Sequence, residues 1–142
     1  MDAWNESSRR YITEDCEFYI PDQDEWRSKP ENSKQGSGHS VSMEQGDKYT
    51  KELMQYVDEG IRKYESALKD GICAEQARLF LPAYGMYVRW YWTASLQSVC
   101  HFLNQRLEHD AQKEIQEYAK AILQLSEPLF PNAISELLKR EK

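Results

Sequence analysis

The segment from Asp47 to Gly71 carries the most restrictive pattern in the chain. Its apolar residues recur at spacings of four, four, three and four positions, at Leu53, Val57, Ile61, Tyr64 and Leu68. This spacing places them in one stripe along an α-helix, and glycine is a common residue just past a helix end. Because such a stripe must be buried against another element, the pattern predicts an amphipathic helix within a packed fold.

Further helices are predicted on both sides of a long apolar segment. A short helix stops at Pro82, and a long one covers residues 83–107. The long segment is apolar on nearly all its faces, so we expect it to be buried in the fold or in an oligomer. The next helix starts at Asp110 and is closed by Pro128. The last has Pro131 near its first turn, where a missing N–H costs nothing.

The N-terminal third has a different character. Residues Cys16 to Ile20 alternate enough to predict one short strand, which Pro21 ends. Residues 22–46 are rich in Ser, Gly, Asn and charge, and we expect a variable, partly mobile loop there. The predicted class is α+β: a mostly helical fold of about four to five helices with one short N-terminal strand, in a single domain over residues 1–142.

Charge and cysteine content limit the class of protein. The net charge of −6 argues against nucleic acid or a membrane surface as a general partner, since either would need a basic face. Cys16, Cys73 and Cys100 form no CxxC pair and are odd in number, as expected for reduced thiols in the cytoplasm. No apolar run reaches the roughly 18 residues of a membrane helix, so we expect a soluble cytoplasmic protein.

Arginines are the candidate anion-binding residues: the adjacent Arg9 and Arg10 near the N-terminus, and two arginines on predicted helices. Arg78 has apolar helical neighbours, and there an arginine either pairs with Glu75 or holds an anion; the residues alone favour neither. Arg106 ends the long predicted helix, where offsetting the helix dipole and pairing with Asp110 is the favoured interpretation. For Asp110 itself, the first interpretation is the N-cap of the next helix.

Histidine positions and glycine motifs exclude several kinds of site. His101 follows Cys100, but adjacent helical residues point about 100° apart, so a nucleophile–base pair is excluded and a core or interface histidine is favoured. No two histidines have metal-ligand spacing, and we expect no metal site. The chain has no G-x-G-x-x-G, P-loop or G-x-S-x-G motif, which removes the usual nucleotide folds and serine hydrolases.

Four short blocks follow one another in a specific order. They are N-E-x-S-x-R-Y at residues 5–11, E-F-Y-I-P at residues 17–21, A-R-x-x-L-P at residues 77–82, and F-L-x-x-R…A-Q-x-E-I-x-x-Y-A at residues 102–119. One block alone is weak, but the four in order resemble the flavin-dependent thymidylate synthases over nearly the whole chain. The resemblance implies the fold of that family and its reaction. That reaction is the reductive methylation of dUMP to dTMP with methylenetetrahydrofolate and NADPH, through FAD.

The resemblance also implies roles for particular side chains. Arg106 would be catalytic, because a fixed cation facing the uracil favours negative charge that develops on the ring. The residues implied for dUMP, whose phosphate suits the planar fork of arginine, are Glu6, Ser8, Arg10, Arg78 and Arg106. The residues implied for FAD are Glu6, Ser95, His101, Gln105 and Asp110.

The chain departs from the family pattern at two places. The signature R-H-R, seven residues, then Ser would put R-H-R immediately before Met1, and Asp110 stands where many members have histidine. We therefore expect a C-terminal portion that is inactive alone and needs an N-terminal partner chain or the other subunits of a homotetramer. Two alternatives stay open: a non-catalytic helical oligomer or binding module with a weak dUMP site, and a structural helical protein whose arginines pair with neighbours.

Overall fold

The computed structural model describes residues 3–6, 16–30 and 36–138. Over these residues the chain is mostly helical with a two-stranded sheet, as the predicted α+β class requires. The order of elements is β1 (Ala3–Glu6), α1 (Met43–Lys69), α2 (Ala74–Ala77), a 3-10 turn (Arg78–Phe80), β2 (Trp90–Thr93), α3 (Leu96–Arg106), α4 (Lys113–Ser126) and α5 (Pro131–Leu137). No helix in this described part is long and apolar enough to cross a membrane.

The chain divides into two compact units. The first, which we call the α3–α5 unit, consists of residues 1–3, 27–39 and 92–142. The second, the α1 unit, consists of residues 4–26 and 40–91. The single domain over residues 1–142 stays a prediction.

Helix α1 confirms the amphipathic pattern, although it begins at Met43 rather than at Asp47. Its N-cap is Ser42, whose Oγ accepts a hydrogen bond from the backbone N–H of Gln45 at 3.2 Å. This Ser-x-x-Gln spacing is that of a capping box, so a start signal was present inside the predicted loop. The helix ends before Gly71, which has a φ of 84° and takes the left-handed conformation that favours glycine after a helix.

Two glycines of α1 allow other segments of the α1 unit to approach its backbone closely. A Cβ atom on Gly46 would lie 1.8 Å from the carbonyl oxygen of Gln23. One on Gly60 would lie 2.8 Å from the carbonyl oxygen of Phe80 and 3.0 Å from Cδ of Pro82. Only the absence of a side chain permits these two contacts.

Part of the predicted loop is held against α1 by specific bonds. Trp26 Nε1 donates a hydrogen bond to Thr50 Oγ1 at 2.8 Å, and Thr50 Oγ1 donates one to the carbonyl of Pro21, also at 2.8 Å. The ring of Trp26 also packs on Tyr49 with centroids 5.6 Å apart. Residues 21–26 therefore lie on the first turns of α1.

The predicted long helix over residues 83–107 is wrong in its first half. Residues 83–85 form a turn, residues 86–89 form no helix, and strand β2 follows at Trp90–Thr93. Helix α3 begins only at Leu96. The run W-Y-W-T suits a strand because aromatic and β-branched residues are enriched there. Its partner β1 lies far away along the chain, so periodicity within the segment could not reveal the pairing.

The predicted strand at Cys16–Ile20 is also wrong, because the N-terminal strand lies at Ala3–Glu6. Residues 16–20 form one isolated antiparallel bridge, between Phe18 and Met86. The backbone N–H of Tyr19 donates to the carbonyl of Gly85 at 2.8 Å, and that of Tyr87 to the carbonyl of Glu17 at 2.9 Å. The segment thus finds its partner within this chain.

Side chains from three helices make the core of the α3–α5 unit. Its buried residues are Cys100, Leu103, Ala119, Ile134 and Leu138. Helices α4 and α5 both form, although α4 begins at Lys113 rather than at Asp110, and Pro131 stands in the first turn of α5. Burial raises the pKa of the Cys100 thiol above its usual range, so this cysteine stays protonated.

Candidate functional site

Helix α3 and its N-cap present three of the residues implied for FAD as exposed side chains. Ser95 is its N-cap, and the Ser95 Oγ accepts a hydrogen bond from the backbone N–H of Ser98 at 3.2 Å. Further along, Nε2 of His101 and Nε2 of Gln105 lie 3.1 Å apart and share a hydrogen bond. Because the opposite side of α3 is buried in the core, Ser95, His101 and Gln105 all face outward. A core role for His101 is therefore wrong.

Arg106 lies in the last turn of α3 and is exposed. Its cation offsets the negative end of the helix dipole there, as predicted. The pairing expected with Asp110 is not formed. Among residues 3–6, 16–30 and 36–138, the guanidinium of Arg106 forms no hydrogen bond or ion pair, and it is free to meet an anion.

Asp110 lies in the turn between α3 and α4, and its predicted role as an N-cap is wrong. The N-cap of α4 is Gln112, without a side-chain hydrogen bond to the helix. The turn is held instead by Gln116, whose Nε2 lies 3.1, 3.4 and 2.8 Å from three backbone carbonyls, those of Glu108, His109 and Ala111. Asp110 lies two residues before the N-cap position, so it is not the residue that caps α4.

Arg78 belongs to the α1 unit, where it opens the 3-10 turn. Ala77 and Leu81 on either side are buried, which anchors the turn and leaves Arg78 exposed. The Nε of Arg78 donates a hydrogen bond to the backbone carbonyl of Glu75 at 3.3 Å. This hydrogen bond joins Arg78 to the backbone oxygen of Glu75, not to its side-chain carboxylate.

The remaining implied residues belong to the first sequence block. Glu6 ends strand β1, and its side chain lies outside what the structure describes. Ser8 and Arg10 lie outside the described residues altogether. Within the α3–α5 unit, five implied residues lie on one helix, at its N-cap and in the turn that follows it: Ser95 at the N-cap, His101, Gln105 and Arg106 on α3, and Asp110 in the turn.

Sequence reasoning missed one charged contact in the α3–α5 unit. The guanidinium of Arg27 donates a hydrogen bond to the carboxylate of Glu114, in the first turn of α4, and forms an ion pair with it. Burial alone would raise the pKa of Glu114, but the hydrogen bond and charge of Arg27 outweigh it and lower that pKa below its ordinary value of 4.5. The two residues are 87 positions apart, so no local pattern marks the pair.

A family model described as "Thymidylate synthase complementing protein" matches residues 2–132. The chain belongs to this family. Curated relatives named "Flavin-dependent thymidylate synthase" agree with the match. The relative from Dictyostelium discoideum is 33% identical over 132 residues, which are 91% of this chain and 42% of the relative. That from Ehrlichia ruminantium (strain Gardel) is 35% identical over 127 residues, 89% of this chain and 42% of the relative.

The chain spans roughly half the length, or less, of the curated relatives it matches. A third relative, from Treponema denticola, is 31% identical over 139 residues, which are 97% of this chain and 52% of that protein. The thymidylate synthase complementing protein family is thus matched over nearly all of this chain, while about half of each relative has no counterpart in it.

Solved structures confirm the fold that the family resemblance implies. The UMP/dUMP methylase PolB from Streptomyces cacaoi, bound with 5-Br UMP, superposes with a TM-score of 0.82 at 24% identity, over 94% of this chain and 62% of that one. Its structure bound with 5-Br dUMP gives a TM-score of 0.78 at 25% identity, over 94% of this chain and 60% of that one. The chain therefore shares its mostly helical α+β fold with this methylase.

Proposed function

We propose that this chain supplies the C-terminal part of a flavin-dependent thymidylate synthase, a methyltransferase that converts dUMP to dTMP. Methylenetetrahydrofolate would provide the carbon and NADPH the hydride, in a cytoplasmic homotetramer or with a complementing N-terminal chain. Family membership and the names of the curated relatives support the reaction. The nucleotides bound to the related methylase support a uracil nucleotide as the substrate.

The observation that carries this proposal is the exposed Arg106. It lies in the fourth sequence block, ends α3, and meets no carboxylate among the described residues. A packed helix holds the backbone of Arg106, and its guanidinium would stabilise negative charge that develops on the uracil. Arg78 presents a second exposed guanidinium, suited to the phosphate of dUMP, with Glu6, Ser8 and Arg10 from the first block completing the nucleotide site.

The exposed polar side chains on α3 and at its N-cap fit the polar edge of a flavin. They include a hydroxyl, an imidazole and an amide, and together they donate and accept hydrogen bonds. Ser95, His101 and Gln105 would hold the FAD, with Glu6 and Asp110 as further contacts. When bound, FAD supplies the hydride-transfer chemistry that no side chain of this chain provides.

Calorimetric titration with dUMP tests the nucleotide site directly. We expect the 142-residue chain to bind dUMP and Arg106→Ala to bind it about tenfold or more weakly, since a charge-assisted hydrogen bond is lost. Arg62→Ala is the matched control, because Arg62 is also an exposed helical arginine whose Nε donates only to a backbone carbonyl, that of Asp58. Equal heats for the chain and for Arg106→Ala would remove Arg106 from the site.

Flavin retention and turnover test the rest of the proposal. The R-H-R signature is absent from residues 1–142, so we expect the chain alone to carry little flavin and to show no NADPH oxidation stimulated by dUMP. Adding a chain that bears R-H-R should restore both flavin absorbance and the formation of dTMP. Binding of dUMP without any turnover in that mixture would favour a non-catalytic binding module instead.

A further inference from the structure

Within the α3–α5 unit, residues 27–30 and 36–39 form a closed loop base. The backbone N–H of Ser28 donates to the carbonyl of His39 at 2.8 Å, and that of Gly38 donates to the carbonyl of Ser28 at 2.8 Å. The closure is tight, because a Cβ atom on Gly38 would lie 2.4 Å from Oγ of Ser28. These residues are therefore fixed to one another, although the sequence pattern predicts a variable loop.

The loop base makes two contacts with the start of α4 and the turn before it. The first is the ion pair between Arg27 and Glu114, whose side chains are 21% and 42% exposed. The second is made by Gly36, which has a φ of 81° and whose Cβ would lie 3.0 Å from the carbonyl oxygen of Asp110. Any other residue at this position would be strained by its φ and crowded by that oxygen.

The turn that receives these contacts consists of residues 107–112, and we call it the Arg106 turn. It begins directly after Arg106 and contains Asp110, so it joins two residues of the candidate site. Gln116 holds it from α4 through bonds to three of its carbonyls. The loop base is a second support, which reaches the turn from a distant part of the sequence.

We propose that Arg27 is a positioning residue of the nucleotide site, acting through Glu114 and the loop base on the Arg106 turn. The ion pair fixes the loop base against α4, and Gly36 then packs on the carbonyl of Asp110. These contacts order the Arg106 turn, and so the positions of Arg106 and Asp110, before the ligand binds. A site that is already ordered loses less conformational freedom on binding, which strengthens affinity. This inference rests on the proposed binding of dUMP at Arg106.

Titration of the full chain with dUMP tests this role. We expect Arg27→Gln to weaken dUMP binding about fivefold, within the range found for residues that alter affinity without touching the ligand. The double variant Arg27→Glu with Glu114→Arg restores the ion pair in reverse and should recover most of the affinity. Lys120→Gln is the matched control, because it removes an ion pair with Glu117 on the exposed surface of the same helix.

A purely structural role would give a different result. It would lower the melting temperature of Arg27→Gln but leave the Kd for dUMP unchanged at a temperature where the protein is fully folded. That result would overturn the positioning role, and so would a charge-reversed double variant no better than Arg27→Gln.

Hydrogen exchange separates failure of this inference from failure of the proposed function. In Arg27→Gln we expect faster exchange at the amides of residues 107–112 and unchanged exchange at Leu103 in the core. If the unaltered chain binds no dUMP, the proposed nucleotide site is wrong, and the exchange measurement still tests the loop base. Unchanged exchange in the Arg106 turn would overturn the support proposed for it.

Discussion

The α3–α5 unit and the α1 unit are each stabilised internally by a different kind of packing. In the α3–α5 unit, side chains from three helices fill a common core around Leu103 and Ile134. In the α1 unit, the 27-residue helix α1 buries only Gly46, Val57 and Gly60, and two of these are glycines against the backbone of other segments. The α3–α5 unit should therefore lose most stability when a buried side chain is made smaller. The α1 unit should lose most when a side chain is added at a buried glycine.

The largest expected effect is on the side-chain core. Leu103→Ala removes a side chain with no exposed surface, and we expect the free energy of unfolding to fall by about 3 kcal/mol, because a cavity replaces lost contacts. Urea denaturation followed by circular dichroism measures this change. Leu125→Ala is the control, since that side chain is 74% exposed and its loss should change stability by less than about 0.5 kcal/mol. Equal losses would contradict the core assigned to this unit.

The next effect is on the close approach at α1. Gly46→Ala places a Cβ atom 1.8 Å from the carbonyl oxygen of Gln23, so the backbone must shift. We expect a loss of about 2 kcal/mol, although alanine in place of glycine normally stabilises a helix by about 1 kcal/mol. The sign of the change in the free energy of unfolding, measured in the same denaturation experiment, thus distinguishes the two effects. Gln55→Ala, at an exposed position of α1, should be nearly neutral, and a stabilised Gly46→Ala would disprove the close packing.

The smallest effect concerns charge. The folded pKa of Glu114 is lowered from its ordinary value of 4.5, so its carboxylate stabilises the fold above that value, and this contribution is lost as pH falls through the folded pKa. Glu114→Gln should therefore cost about 0.5 kcal/mol at pH 7 and progressively less as the pH falls below 4.5, a small value because the side chain is 42% exposed. Melting temperatures measured over a series of pH values from neutral to acid follow this change.

The matched control for that series is Glu117→Gln, on the same helix. Glu117 pairs with Lys120 at the surface, where both side chains are more than half exposed. The loss of stability in Glu117→Gln should therefore be smaller than that in Glu114→Gln at every pH where the carboxylates are charged. A pH dependence as large for Glu117→Gln as for Glu114→Gln would show that the contact with Arg27 adds nothing beyond an ordinary surface pair.

Local patterns predicted the helices that carry their own signals. The stripe from Leu53 to Leu68 and the proline at position 131 marked α1 and α5, because these signals lie within the elements themselves. Strand β2 escaped prediction because its partner is some eighty-five residues earlier, and an isolated aromatic run has no period that separates a strand from a buried helix.

The candidate site shows the same division. The fourth sequence block predicted Arg106 as a site residue, since each block is local. The support of the Arg106 turn by Gln116, Arg27 and Gly36 depends on tertiary contacts, one of them across 87 positions, and no spacing rule covers those. The N-cap predicted for Asp110 is wrong because α4 begins at Lys113, which places Gln112 at the N-cap position.

The two close approaches on α1 also restrict how the length of this helix can change. Gly46 and Gly60 are fourteen positions apart, which is close to four full turns, so both face the same side and lie about 21 Å apart along the axis. Inserting or deleting one residue between them would rotate one glycine by about 100° relative to the other and present a side chain to the approaching backbone. Between these glycines, natural variants of α1 should therefore differ in sequence far more readily than in length.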